Sequence, residues 1–128
     1  MAKSPKIRLA EVLKALVART EAREIAWEQV NYEVEPLLAA DIGPIRVTLG
    51  PITYKRGANT SKDMKLAIFN QNGEETDSIR DSQLDDELLP AGEVSWWTYM
   101  LRLYTTARRQ VLGSDDVLDE LSAALGID

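Results

Sequence analysis

The apolar residues of this chain change their spacing twice, and that change limits the possible folds more than any other feature. Ser4-Pro5 reads as a side-chain cap followed by proline at the first helical position. Beyond it Leu9, Val12, Leu13, Leu16, Val17 and Thr20 recur at three- and four-residue steps, with Lys14 and Arg19 off the stripe. This spacing predicts an amphipathic helix of about four turns, ending near Arg23. Alternation then takes over. Ile45, Val47 and Leu49 alternate with Arg46 and Thr48 between Gly43-Pro44 and Gly50-Pro51, which predicts a half-buried strand bracketed by breakers.

The rest of the middle region follows the same two-residue logic. Ile52 to Tyr54 extend the first strand after a kink, and Lys55 to Asp63 is polar enough to predict a long mobile hairpin loop. Met64 to Asn70 is a second strand, Asn72-Gly73 supplies a tight turn, and Thr76 to Ile79 pairs back as a third. Leu37 to Ala40 offers another, and Ile25, Trp27 and Gln29 fit a short extended stretch. After an acidic connection from Ser82 to Gly92 the helical period returns. Val94, Trp97, Met100, Leu101, Leu103, Tyr104, Ala107 and Val111 predict a long helix ended near Gly113. Ser114-Asp115-Asp116 then caps a last short helix bearing Val117, Leu118, Leu121, Ala124 and Leu125. The expected architecture is one α+β domain over residues 1–128. It has a small antiparallel β-meander of three to four strands, packed with an N-terminal helix and C-terminal helices.

Composition narrows the chemistry. The chain has 45% hydrophobic and 28% charged residues, the balance of a folded globular protein. It contains no cysteine and no histidine. The first absence removes disulfides and thiolate metal sites and suits a reducing compartment, so a cytoplasmic location is expected. The second removes the commonest general base and the commonest transition-metal ligand. Serine, threonine or tyrosine nucleophiles would have to be activated by lysine or a carboxylate, and no such constellation stands out. No catalytic residue, no metal and no cofactor is therefore assigned. The basic opening Met1-Ala2-Lys3-Ser4-Pro5-Lys6 lacks a hydrophobic region behind it, and no run approaches ~18 apolar residues, so neither a signal peptide nor a membrane span is expected.

The net charge of −6 is concentrated: Glu74 to Glu93 holds eight acidic residues against Arg80 alone, leaving the remainder close to neutral. A chain so balanced has no overall attraction to nucleic acid or anionic lipid. Asp81, Asp85 and Asp86 are the carboxylates to consider for a hard divalent cation, but their spacing matches no EF-hand loop, and a solvated acidic segment is the simpler reading. Mimicry of nucleic acid by this segment, as an acidic inhibitor of a basic partner, is an alternative.

The opening helix ending in Ala18-Arg19-Thr20-Glu21, with Trp27-Glu28 just beyond, resembles small uncharacterised bacterial and phage proteins. In these a helix leads to a Trp-Glu segment, a β-meander and a closing helix pair. Leu103 to Arg109, Gly113 and Val117 to Leu121 look like the closing part of that group. The resemblance implies the α+β fold and a prokaryotic or phage origin, and it transfers no catalytic residue.

Two surface sites are expected. The arc formed by Trp96, Trp97, Tyr99 and Met100 is wider than one face of a small sheet needs, so Trp97, Leu101 and Tyr104 are assigned to the core. Trp96, Tyr99, Met100 and Leu103 are assigned to an interface with a second copy or a protein partner. On that reading Trp96→Ala disturbs assembly more than folding. Lys55, Arg56 and Arg108, with Lys62, Arg102, Arg109 and the Lys3-Lys6-Arg8 cluster nearby in character, would form a site for a nucleotide or phosphate. The resulting expectation is a non-enzymatic interaction or regulatory module that self-associates, with anionic-ligand binding as the alternative.

Overall fold

The computed structural model describes residues 3–127. Helix α1 (Pro5–Glu21) starts where the Ser4 hydroxyl accepts the Ile7 N–H and ends at Ala22. Arg23 then takes a left-handed φ of 60°, which ends the helix by reversing the chain. Five strands follow: β1 (Trp27–Gln29), β2 (Leu38–Ile42), β3 (Ile45–Arg56), β4 (Asn59–Phe69) and β5 (Glu75–Arg80). Each pairs antiparallel with the next, so the sheet is a meander in chain order. Two 3-10 turns, Asp81–Gln83 and Asp86–Leu88, lead to α2 (Trp96–Leu112), and Gly113 joins α2 to α3 (Ser114–Leu125). The α+β class agrees with the change of period. The sheet has five strands where three to four were expected, because β1 and β2 are too short for alternation to show.

One segment corrects the expectation outright. Residues 55–63 are not a mobile loop. β3 and β4 stay in register from Arg46↔Phe69 out to Arg56↔Asn59, with only Gly57-Ala58 between them and Gly57 at φ 64°. β2 pairs with β3 only as far as Leu49, and β5 pairs with β4 only from Lys65 onward. The outer half of the hairpin is therefore a two-stranded arm, and its tip, Lys55 to Lys62, is polar and largely exposed on both faces. A two-stranded ribbon is marginal alone. This one is held at its base by the Lys62–Glu35 ion pair, by Arg80 over the Tyr54 ring, and by the Ser82 hydroxyl donating to buried Asp63.

One face of the sheet carries the core. Leu38, Leu49, Leu66 and Ile79 are register partners across β2 to β5, and Trp27, Ala40, Val47 and Ile68 form the neighbouring row. Against them α1 buries Leu9, Leu13, Leu16 and Val17, and α2 buries Trp96, Tyr99, Met100, Leu103, Tyr104 and Ala107. Polar atoms drawn into this layer are matched. The Trp27 indole donates to the Thr20 hydroxyl at 3.0 Å, Gln110 donates to the Thr20 carbonyl at 2.7 Å, and the Tyr104 hydroxyl donates to the Pro36 carbonyl. The opposite face is lined by small residues, with Ala39 and Ala67 buried beside Thr48, and by charged ones, with Arg46 bridging Glu28 and Asp41. No helix among the described residues is long and apolar enough to cross a membrane.

Candidate functional site

The residues expected at an interface lie inside the chain. Trp96 is 3% exposed, and Tyr99, Met100 and Leu103 are equally buried. The helix is rotated from the expected setting. Its inward stripe is Trp96, Tyr99, Met100, Leu103, Tyr104 and Ala107, while Leu101 reaches solvent and Trp97 sits at the rim of the core. The cause is visible at the first turn. Ser95 caps the helix by accepting the Thr98 N–H, and the Trp96 indole donates to the Asp85 carbonyl, which draws the acidic connection over the ring. Trp96 and Tyr99 then meet edge to face at 5.6 Å. This stripe provides no free aromatic anchor.

The anionic-ligand residues are not brought together as one site. Lys55 and Arg56 are exposed near the tip of the β3–β4 arm. Arg108 is half-buried on α2, close enough to Tyr104 to counter the upward shift that burial gives that phenol. Its Nε is buried and lacks an acceptor among the described residues. Five of the best-formed concavities take no lining from any of the three.

The acidic segment is structural at its start. Asp81 accepts the Met64 N–H at 2.7 Å, beside the Asp63–Ser82 hydrogen bond. Among the described residues no three carboxylates converge as a cation site would need. Burial raises the Asp81 carboxyl above its ordinary range, against the lowering effect of the Met64 hydrogen bond, and nearby Asp63 adds to the rise. A raised carboxyl favours the protonated form in the fold. The stability it contributes is therefore complete below the ordinary aspartate range and is lost as pH rises through the raised value. Asp81→Asn keeps an oxygen for Met64 and removes the charge. Urea unfolding across that interval should show a flatter pH profile for the variant and no loss of stability at neutral pH. A parallel profile would mean that the Asp81 charge is not felt by the fold.

Among the described residues, α3 is a whole element that the core does not account for. It is well formed at both ends. Gly113, in the left-handed region at φ 64°, closes α2 and opens α3; Asp115 and Asp116 lie in the first turn, and Gly126 closes the end. Asp115 is also clamped by Arg23 and Arg109, at 2.6 and 3.0 Å. Beyond this tether the helix buries no residue. Val117, Leu118, Leu121 and Leu125 are 57%, 50%, 52% and 64% exposed, and with Ala124 they fall on one arc of roughly 120°. The acids Asp116, Asp119 and Glu120 occupy the other side.

A complementary surface lies along α1. The two helices do not cover the corner of the sheet at the β2–β3 turn. There Val12, Ala15 and Arg19 of α1 face Ile42, Ile45 and Ile68 across an apolar concavity of about 440 Å³. A smaller one of about 270 Å³ continues it toward Pro5 and Arg8, sharing Val12 and Ile68. Together they form a groove running beside α1 for most of its length. Neither α3 nor this groove was assigned a role from the sequence, although every residue of the α3 stripe was legible as part of a helix. The missing information was that α1, α2 and the sheet complete a core without it.

Comparison with protein-family models, with curated proteins and with solved structures finds no match to this chain.

Proposed function

We propose that this chain is a non-enzymatic interaction module whose contact element is α3, rather than the aromatic helix α2. One observation carries the reading: a twelve-residue amphipathic helix presents its whole apolar stripe to solvent. Helices of about 12–15 residues or fewer are marginal in water, and most of their stability in proteins comes from packing an apolar face. Each of the four large side chains of the stripe still has about 1 kcal/mol of burial available. A helix with this pattern is the kind that lays its apolar face into a groove on another protein. The lack of histidine and cysteine fits binding better than catalysis. The bacterial or phage origin implied by the resemblance belongs to the same proposal.

The test is photo-crosslinking in cells that carry the gene. A photoreactive amino acid at Leu121 should yield adducts several-fold more abundant than one at Asp119, on the other side of the same helix. Mass spectrometry identifies the captured protein as another chain or a second copy. Equal, background-level capture at both positions would remove α3 as the contact element.

A further inference from the structure

We infer that the partner is a second copy of this chain, with the apolar face of α3 seated in the α1–sheet groove of the other copy and the exchange made in both directions. The inference rests on the reading of α3 given above and specifies its occupant. The dimensions agree. α3 spans about 18 Å, and the stretch of α1 from Arg8 to Arg19 that borders the groove spans about 17 Å. Both surfaces are apolar at their centres, α3 through Leu118 and Leu121, the groove through Val12, Ile42 and Ile68.

α3 is acidic, and the groove is bordered by Arg8 and Arg19, with Asp77 as its one carboxylate among the described residues, at the Pro5 end. α3 carries four acidic residues and no base. Among the described residues, Arg8 and Arg19 on the groove side of α1 have no ion-pair partner, and neither do Asp116, Asp119 and Glu120 on α3. Arg23, Arg46, Arg80, Arg102 and Arg109 are paired within the chain, whereas Arg8 and Arg19 lie one above the other along this edge of α1 with their charges free. Glu120 and Asp116 flank the apolar stripe on one side, where a seated helix would present them to the basic α1 rim. α3 already stands off the body beyond its Asp115 tether, so docking leaves the core packing untouched. Because helix and groove are different surfaces, one contact leaves a helix and a groove free. A reciprocal pair closes both.

Light scattering from micromolar to millimolar concentration, together with a mixing experiment, tests this. The wild-type chain should have the mass of a dimer. Leu118→Asp/Leu121→Asp on α3 and Val12→Glu/Ala15→Glu in the groove should each weaken association at least about thirtyfold. All four positions are exposed, and circular dichroism and thermal melts should show both variants folded. Mixed together, the two variants should form a weaker heterodimer, since one intact helix can still meet one intact groove. Pairing of α3 with α3 would not be restored by mixing, and that result would overturn the groove as the acceptor. A dimer unaffected by the α3 variant would overturn the proposal entirely. A wild-type chain that stays monomeric throughout would also overturn it, while the crosslinking at Leu121 would separately decide whether α3 serves a different protein.

Discussion

Trp96→Ala should lower the unfolding free energy by about 4 kcal/mol, with a fall in Tm on the order of 10 °C. The indole is 3% exposed, and its ring is shared by the sheet-facing side of α2 and the acidic connection. Removing it opens a cavity, loses the edge-to-face contact with Tyr99, and leaves the Asp85 carbonyl without its donor. Urea unfolding followed by circular dichroism measures the loss, and the slope should stay unchanged if the folded state keeps its compactness. This reverses the expectation drawn from the sequence, that the same substitution would act on assembly. A variant that unfolded at the wild-type midpoint but failed to associate would restore the original assignment and contradict the packing of α2.

Leu66→Ala should cost about 3–4 kcal/mol, within the range for a fully buried leucine. Leu66 is 0% exposed and sits between Leu49 and Ile79 in the row that crosses β2 to β5. Its neighbours belong to extended backbone on both sides and cannot collapse far into the space left. The informative control is Leu121→Ala, the same chemical change on α3. In dilute, monomeric protein it should cost less than about 0.5 kcal/mol, because the side chain is half in water and belongs to no core. Comparable losses at both positions would show that α3 packs on its own chain.

How far the sequence could be read depended on whether a segment is covered on one side. α1 and the inner halves of β3 and β4 are, so Leu9 to Val17 and Ile45 to Leu49 show their periods plainly. The tip of the β3–β4 arm is covered on neither side. Lys55 to Lys62 therefore has no alternation to reveal, and its polarity was mistaken for a loop. For α2 the difficulty was the reverse. Trp96, Trp97, Tyr99, Met100 and Leu101 are apolar almost all the way round, so periodicity identified a helix without fixing its rotation. That rotation follows from the Ser95 cap and the bond from Trp96 to the Asp85 carbonyl, whose partner lies eleven residues away. The candidate interaction surface was legible as a stripe and illegible as a surface. Val117, Leu118, Leu121 and Leu125 look the same in a sequence whether or not something lies on top of them.

The sequence by itself determined the α+β class, most of the places where the chain turns, the lack of cysteine and histidine, and the amphipathic character of α1 and α3. These are local properties, set by side-chain spacing, caps and composition over stretches of a dozen residues. Only the tertiary structure decided that most of the aromatic residues of α2 are core, that Lys55 and Arg56 stand on the β3–β4 arm while Arg108 lies on α2, and that α3 is left uncovered while an apolar groove stays open along α1. Each of these depends on which distant segments meet. Burial is a property of pairs of surfaces, and a single strand or helix specifies only its own half.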